Sequence, residues 1–374
     1  MESDCIFCYN TAMNIQIEDA YRLVEWYENN RRSLPWRDTG DPYDVWLSEI
    51  MLQQTRIEAV KDRFVQIRSL LPDIASLAGC DLQSLLCLWE GLGYYSRARN
   101  LHKCAIMLRD QYDGKLPADY QQLLHLPGIG PYTAGAIASI AFGIPVPAVD
   151  GNVLRVIARL FEIREDVRNA STKTLVEQII RELFETEHDS HFVSAFNQGI
   201  MELGETVCLP NGTPLCKSCP FQSSCMTYRN GSHKEIPYRS PLKKRTIQNR
   251  TLLVIREGQR FLIHKRPSSG LLAGMYEFYG IDSHITRSQA VEISESLGFY
   301  PLSIHPLPSS KHIFTHLEWH MKAYEINVAQ CPDFSEEDFL LVTQQELLHL
   351  PVPSAFRTYT AYYALREQKT DENA

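Results

Sequence analysis

The chain has 374 residues, 44% of them hydrophobic, and a formal net charge of −8. That length favours two domains, each able to bury a core, and no apolar run approaches the roughly 20 residues of a membrane span. The acidic total weighs against nucleic-acid binding in general, because phosphate contacts need Lys and Arg, and leaves such binding to local basic patches.

Met1–Asn10 carries two acids and no base, so it does not read as a secretory signal, and intracellular residence is the expectation. Ile17, Ala20, Tyr21 and Val24 fall at helical spacing. Asp41-Pro42 reads as an N-cap followed by Pro at the first helical position, opening a helix through about Gln54. Further helices are predicted near 81–89, 96–110, 119–125, 132–142, 151–161, 172–186 and 191–204, punctuated by Pro and Gly. After about residue 248 the pattern changes. Thr251–Arg256 and Arg260–Arg266 flank Glu257-Gly258-Gln259 as a hairpin. Strict alternation from Ile313 to Tyr324 predicts one half-buried strand. Helices are expected near 286–297 and 354–366. The resulting division is a helical domain over 14–230, a basic linker over 231–247 and an α+β domain over 248–366. Between Ser232 and Arg250, six basic residues (Lys234, Arg239, Lys243, Lys244, Arg245, Arg250) face one acid, Glu235. Arg97, Arg99 and Lys103 form a shorter cluster, for which a solvated face is the simpler reading.

Four constellations carry chemistry. Cys208, Cys216, Cys219 and Cys225 lie within 18 residues, among prolines and glycines. Four thiolates on so tight a loop can hold zinc or an iron–sulfur cluster, and the spacing alone does not choose. Leu126-Pro127-Gly128-Ile129-Gly130-Pro131 ends one helix and opens another, with backbone N–H groups free to face a phosphate. Asp150 stands where a helix N-cap belongs, ahead of Val153, Val156, Ile157 and Leu160. Capping alone explains it, and the N–H groups and helix dipole are also expected to hold its carboxylate ionised. Glu49 lies on the predicted helix with Val45, Trp46, Leu52 and Gln53 one turn away, so desolvation should raise its pKa and suit it to general-acid work. A glutamate reaching water at the helix edge is the plainer reading. One carboxyl pushed toward the neutral form and one held charged is the pattern of an acid and a stabiliser.

Together the strings Leu34-Pro35-Trp36-Arg37, Ser48–Thr55, Gly91–Lys103, Leu126–Ile137 and Val149–Val153 resemble the helix-hairpin-helix, iron–sulfur glycosylase superfamily, and within it the MutY-type adenine DNA glycosylases. The resemblance covers about residues 15–230 strongly and 248–366 more weakly. It implies a mainly α catalytic region with a helix-hairpin-helix and an iron–sulfur loop, followed by an α+β Nudix-like domain. It implies a base-flipping enzyme that removes adenine mispaired with 8-oxoguanine or guanine from double-stranded DNA, acting as a monomer with no membrane attachment. Glu49 then matches the acid that protonates adenine, and Asp150 the carboxylate that stabilises the sugar cation. Tyr132 and Asn152 match supporting polar residues. Arg37, Gln54, Thr55, Leu92, Tyr94, Gly128, Gly130, Gln198, Phe314, Thr315 and His316 match DNA- or lesion-binding positions, and Cys208, Cys216, Cys219 and Cys225 the ligands of a 4Fe–4S cluster. The resemblance also implies that the second domain senses the lesion. A bacterial source, favoured by the short linker and the lack of a targeting sequence, implies cytoplasmic, nucleoid-associated action.

The departures are specific. Tyr132 stands where the related lyase branch has a lysine that forms a Schiff base, so a monofunctional enzyme is expected. The first cysteine gap is one residue longer than usual. Phe314-Thr315-His316 stands where Phe-Ser-His is expected. The glutamate box of a working Nudix hydrolase is not legible around Glu292 and Glu295. Cys5 and Cys8 match nothing, and successive members of His312, His316 and His320 would lie about 13 Å apart on a strand, too far for one ion. A pyrimidine-lesion lyase, a DNA-binding redox sensor and a Nudix hydrolase with a DNA-binding arm are the competing readings. Tyr132, the Glu49–Asp150 pair and the absent box count against them in turn.

Overall fold

The computed structural model describes residues 13–241, 244–332 and 339–363. Cys5, Cys8, Lys243 and the end of the helix expected over 354–366 fall outside them. Two units form by contact: Met1–Cys80 with Arg97–Pro241, and Asp81–Ser96 with Leu242–Ala374.

The helices run α1 (Ile17–Asn30), α2 (Pro42–Leu52), α3 (Ile57–Leu70), α4 (Ile74–Gly79), α5 (Leu82–Leu88), α6 (Ser96–Gln111), α7 (Tyr120–Leu124), α8 (Pro131–Ala136), α9 (Gly151–Leu160), α10 (Ala170–Thr186), α11 (Ser190–Thr206) and α12 (Met226–Asn230). All but α5 belong to the first unit. Asp41 caps α2 by accepting from the Tyr43 amide, with Pro42 at the first position, as expected. Every residue from Tyr43 to Met51 is buried, so α2 is a core helix on all sides. Helices α3 and α4 were not predicted. Only Val60, Phe64 and Ile67 of α3 are buried, a narrow stripe in a polar sequence. The helix expected over 132–142 is α8 continued by a π-helical turn, Ile137–Ala141. Ser139 Oγ donates to the Gly135 carbonyl at 2.7 Å, and a Cβ on Gly135 would lie 2.3 Å from the Pro147 carbonyl oxygen, so two backbones meet there. The unit's core joins α1, α9, α10 and α11 through Leu23, Ile157, Ile180 and Phe196.

The stretch read as a linker from 231 belongs to the helical unit as far as Pro241. Arg159 donates to the Ile236 and His233 carbonyls, Ser232 to Glu162, and the Val167 amide to the Tyr238 carbonyl. Basic composition concealed these backbone anchors.

The second unit is a sheet: β1 (Thr246–Glu257), β2 (Arg260–Lys265), β3 (Tyr276–Glu277), β4 (Tyr279–Ile281), β5 (Pro301–Ile313), β6 (Leu317–Val328) and β7 (Phe339–Val342), with α13 (Arg287–Ser296) and α14 (Gln344–Leu348). The main path is β3-β2-β1-β6-β5, with β4 beside β1 and β7 beside β2. Strands β1 and β6 are parallel. Successive β1 residues point to opposite faces. Leu252 and Val254 meet Trp319, Phe356 and Tyr359 on one face. Leu253 and Ile255 meet Ile285, Ala290 and Phe299 on the other. Both faces are therefore covered.

One strand expectation is corrected. Ile313–Tyr324 is not continuous: β5 ends at Ile313, β6 starts at Leu317, and Phe314-Thr315-His316 turns between them, closed by the Phe314 amide donating to the Leu317 carbonyl at 2.9 Å. Alternation continued through the turn because both arms obey it. Strand β5 escaped prediction because of Pro301, Pro306 and Pro308, which an edge strand tolerates.

Candidate active site

Glu49 is carried by the buried helix α2 and is only 8% exposed. Its Oε2 accepts from Tyr132 Oη at 2.5 Å. Burial raises the Glu49 carboxyl to about 7, against the lowering by the Tyr132 hydroxyl, and Asp150 adds to the rise. Tyr132 stands in the first turn of α8, and its phenol is raised well above its ordinary value by burial and the two carboxyls, so it remains a donor.

Asp150 caps α9, its Oδ1 accepting from the Asn152 and Val153 amides at 2.8 Å each. Its Oδ2 accepts from Asn152 Nδ2, also at 2.8 Å. The expected direction of its pKa is corrected. Burial raises it above the ordinary aspartate value, outweighing these three hydrogen bonds. The donors still favour the charged form more strongly than at Glu49, which accepts one bond. Asn152 Nδ2 also donates to Glu205 at 2.9 Å, and Asn152 packs so tightly on Gly204 that a Cβ there would lie 2.6 Å from its own.

Both carboxyls, with Tyr132, Asn152, Gln54, Thr55, Arg37 and Gln198, line one cavity of about 890 Å³. Residues more than a hundred positions apart thus reach one space. Arg37 is held there by Glu202, at 2.6 Å, and by the Arg32 carbonyl, at 3.0 Å. Glu202 is 1% exposed and also pairs with Arg32. Glu202 and Glu205 were missed from sequence, although they follow Gln198 at i+4 and i+7 along α11. Gln54 adopts φ +56, a left-handed conformation that non-glycine residues avoid. Its turn is braced by Arg97, which donates to the Ile50 and Met51 carbonyls and to Thr55 Oγ1. Arg97 is therefore a buried brace, not part of an exposed basic face.

The helix-hairpin-helix runs from α7 to α8, with Gly128 at φ +78 and Gly130 as the N-cap of α8. A Cβ on Gly128 would lie 2.6 Å from Asn100 Cβ. Gly128→Ala is expected to cost about 1–3 kcal/mol, read as a fall in Tm.

Helix α9 also reaches the cysteine loop. Arg155 donates to Asn152 Oδ1 and to the Cys208 carbonyl, each at 2.8 Å. Arg159 donates to Cys208 Sγ at 3.3 Å. Each of Cys208, Cys216 and Cys225 acts electrostatically on Cys219, whose thiol burial pushes up to about 12. The four thiols therefore lie within electrostatic range of one another, with a guanidinium aimed at one sulfur. Among the described residues, no three His, Cys, Asp or Glu side chains are arranged for a single metal ion.

In the second unit, Tyr94 is 46% exposed and adopts φ +45. Its hydroxyl lies 2.8 Å from Thr315 Oγ1, so two of the expected lesion residues meet. Phe314 packs edge-on against Trp319, with ring centroids 4.8 Å apart, and His316 is exposed at the tip. Leu92, within the Gly91–Gly93 turn, is 4% exposed. Glu292 and Glu295 are exposed on α13.

Comparison with known proteins settles the family. Residues 47–186 match the model of the HhH-GPD superfamily base excision DNA repair proteins, and 250–362 that of the NUDIX domain. The adenine DNA glycosylase of Mus musculus is 31% identical over 97% of this chain and 81% of its own. This chain belongs to the adenine DNA glycosylase family. The adenine DNA glycosylase of Buchnera aphidicola subsp. Schizaphis graminum is 34% identical over 70% of this chain and 75% of its own. A solved structure of a thermostable thymine-DNA glycosylase aligns with a TM-score of 0.49 at 25% identity, covering 56% of this chain and 95% of that one. The enzyme is a base-excision repair glycosylase acting on DNA, with a helix-hairpin-helix domain followed by a Nudix-like domain.

Proposed function

We propose that the enzyme excises adenine paired with 8-oxoguanine or guanine, with Glu49 as general acid and Asp150 as the carboxylate facing the sugar. The observation that carries this is the pair of buried carboxyls on one cavity, one accepting a single phenol hydrogen bond and the other three bonds at a helix start. The adenine nucleotide enters the cavity extrahelically. Glu49 gives its proton to adenine N7, the C1′–N9 electron pair leaves with the base, and the Asp150 carboxylate stabilises the sugar cation until water adds at C1′. Tyr132 and Asn152 hold the two carboxyls, and Arg37 and Gln198 the base. Tyr132 has no amine to form a Schiff base, so the product is an abasic site in an unbroken strand.

Because the Tyr132 hydroxyl lowers the Glu49 pKa, Tyr132→Phe is expected to raise it further. The alkaline limb of the pH–rate profile should move to higher pH, and an unmoved limb would remove this role.

The four cysteines suit a 4Fe–4S cluster: all the donors are sulfur, they lie on one short loop, and Arg159 supplies an N–H to sulfur. When bound, the cluster cross-links the loop from Cys208 to Cys225 and supports DNA affinity. Gln54 and Thr55 are assigned to the DNA beside the flipped adenine, and Gly128 and Gly130 to a phosphate; in the second unit, by itself, the Tyr94–Thr315 pair is assigned to the lesion, with Phe314 and His316 shaping the hairpin tip. Thr315→Val is expected to lower the rate ratio for adenine opposite 8-oxoguanine over adenine opposite guanine by about tenfold, the worth of one hydrogen bond to a polar partner. Equal wild-type rates on the two duplexes would overturn the lesion reading.

A further inference from the structure

A second cavity, of about 290 Å³, lies behind the first. Trp36, Arg37, Val45, Ile140 and Gln198 line both, so a single layer of side chains separates them. Much of that layer is held by a chain of hydrogen bonds. Tyr27 Oη donates to Gln198 Oε1 at 2.9 Å, Gln198 Nε2 to Ser194 Oγ at 3.2 Å, and Ser194 Oγ to the Ile140 carbonyl at 3.3 Å. Ile140 belongs to the π-helical turn, where backbone bonding is already loosened. A rotation of the Gln198 side chain would break this chain and take one of the five shared side chains out of the dividing layer. The outer rim carries the Arg31–Asp38 and Glu28–His191 pairs, both exposed. Exposed pairs of this kind contribute only about 0–1 kcal/mol, so they part easily.

The reaction creates a need for such a space. When the glycosidic bond breaks, the base lies inside the large cavity while the sugar and its strand cover the side by which it entered. The base can leave with the DNA or through the rear. We infer that the second cavity is a holding and exit site for the excised neutral purine. A cavity of about 150 Å³ accepts benzene, so the space is ample for a bicyclic base. The Trp36 ring lines the space as an aromatic wall, and the Gln198 amide and Thr39 hydroxyl offer partners for the polar edge. The inference rests on the adenine-excision reading.

The test uses the full-length, cluster-loaded enzyme bound to a duplex carrying a tetrahydrofuran abasic analogue, titrated with radiolabelled adenine. Two variants plug the rear cavity without touching the proposed catalytic groups: Thr39→Trp at its exposed rim and Ala141→Leu in its wall. Both are expected to weaken adenine binding at least tenfold while single-turnover excision stays within twofold. With a duplex labelled in the target adenine, wild-type enzyme should free the label before the DNA departs, and the plugged variants should retain it until the DNA leaves. Unchanged adenine binding in both variants, or label leaving wild-type enzyme only together with DNA, would overturn the inference. A duplex that never yields adenine would overturn the excision reading itself, and the exit site with it.

Discussion

Glu49→Gln is expected to slow single-turnover adenine release about a thousandfold while DNA affinity stays within about twofold. That loss equals about 4 kcal/mol of transition-state stabilisation. The replacement keeps the size of the side chain and leaves the Tyr132 hydroxyl an acceptor at the same place, so packing around α2 is preserved. What disappears is the proton. The wild-type profile carries the same information with a definite sign. As the proposed acid Glu49 must be neutral, and burial sets its pKa at about 7, so the rate should fall as pH rises above about 7. On the proposed mechanism the acid limb reports Asp150, required there as the carboxylate, and it should lie above the ordinary aspartate range because burial raises that carboxyl. Since each carboxyl influences the other, the two limbs belong to the pair. The Gln variant should lose the alkaline limb along with the rate. A variant that excises adenine at near-native rate would end the assignment.

Asp150→Asn is expected to lower the excision rate by a factor of about a hundred to a thousand with little change in Tm. This substitution separates two roles that share one side chain. Asn is as good an N-cap as Asp, so α9 should start where it does now. If capping were the whole purpose of Asp150, activity would survive. If its charge faces the sugar cation, activity falls although the helix is intact. Circular dichroism melting and single-turnover assays on one preparation distinguish these outcomes.

The site was legible where local rules and long-range assembly agree. Asp41, Asp150 and the Gly128–Gly130 turn announce themselves by position, since caps and left-handed glycines are set within a few residues. Glu49 was legible as an acid among apolar neighbours, and its raised pKa follows from that. For Asp150 the same local reading erred. Its N–H donors are visible in sequence, but the depth of the cavity that outweighs them depends on α2, α8 and α11 meeting α9. Glu202, Arg155 and Arg159 went unread for a related reason: a buried charge in a helix looks like a surface charge until its partner is placed. Arg97 was misread in the same way. In the second unit, period-two alternation passed through the Thr315 turn unbroken, and only the pairing of β5 with β6 reveals the hairpin.

The most direct measurement is single-turnover base release from a duplex holding adenine opposite 8-oxoguanine, with adenine opposite thymine and a thymine-glycol duplex as controls, each analysed with and without alkali. Adenine release from the lesion pair, with strand breakage only after alkali, is the expected result. Cleavage of the thymine-glycol strand without alkali, or no adenine release by enzyme with an intact cluster, would contradict it.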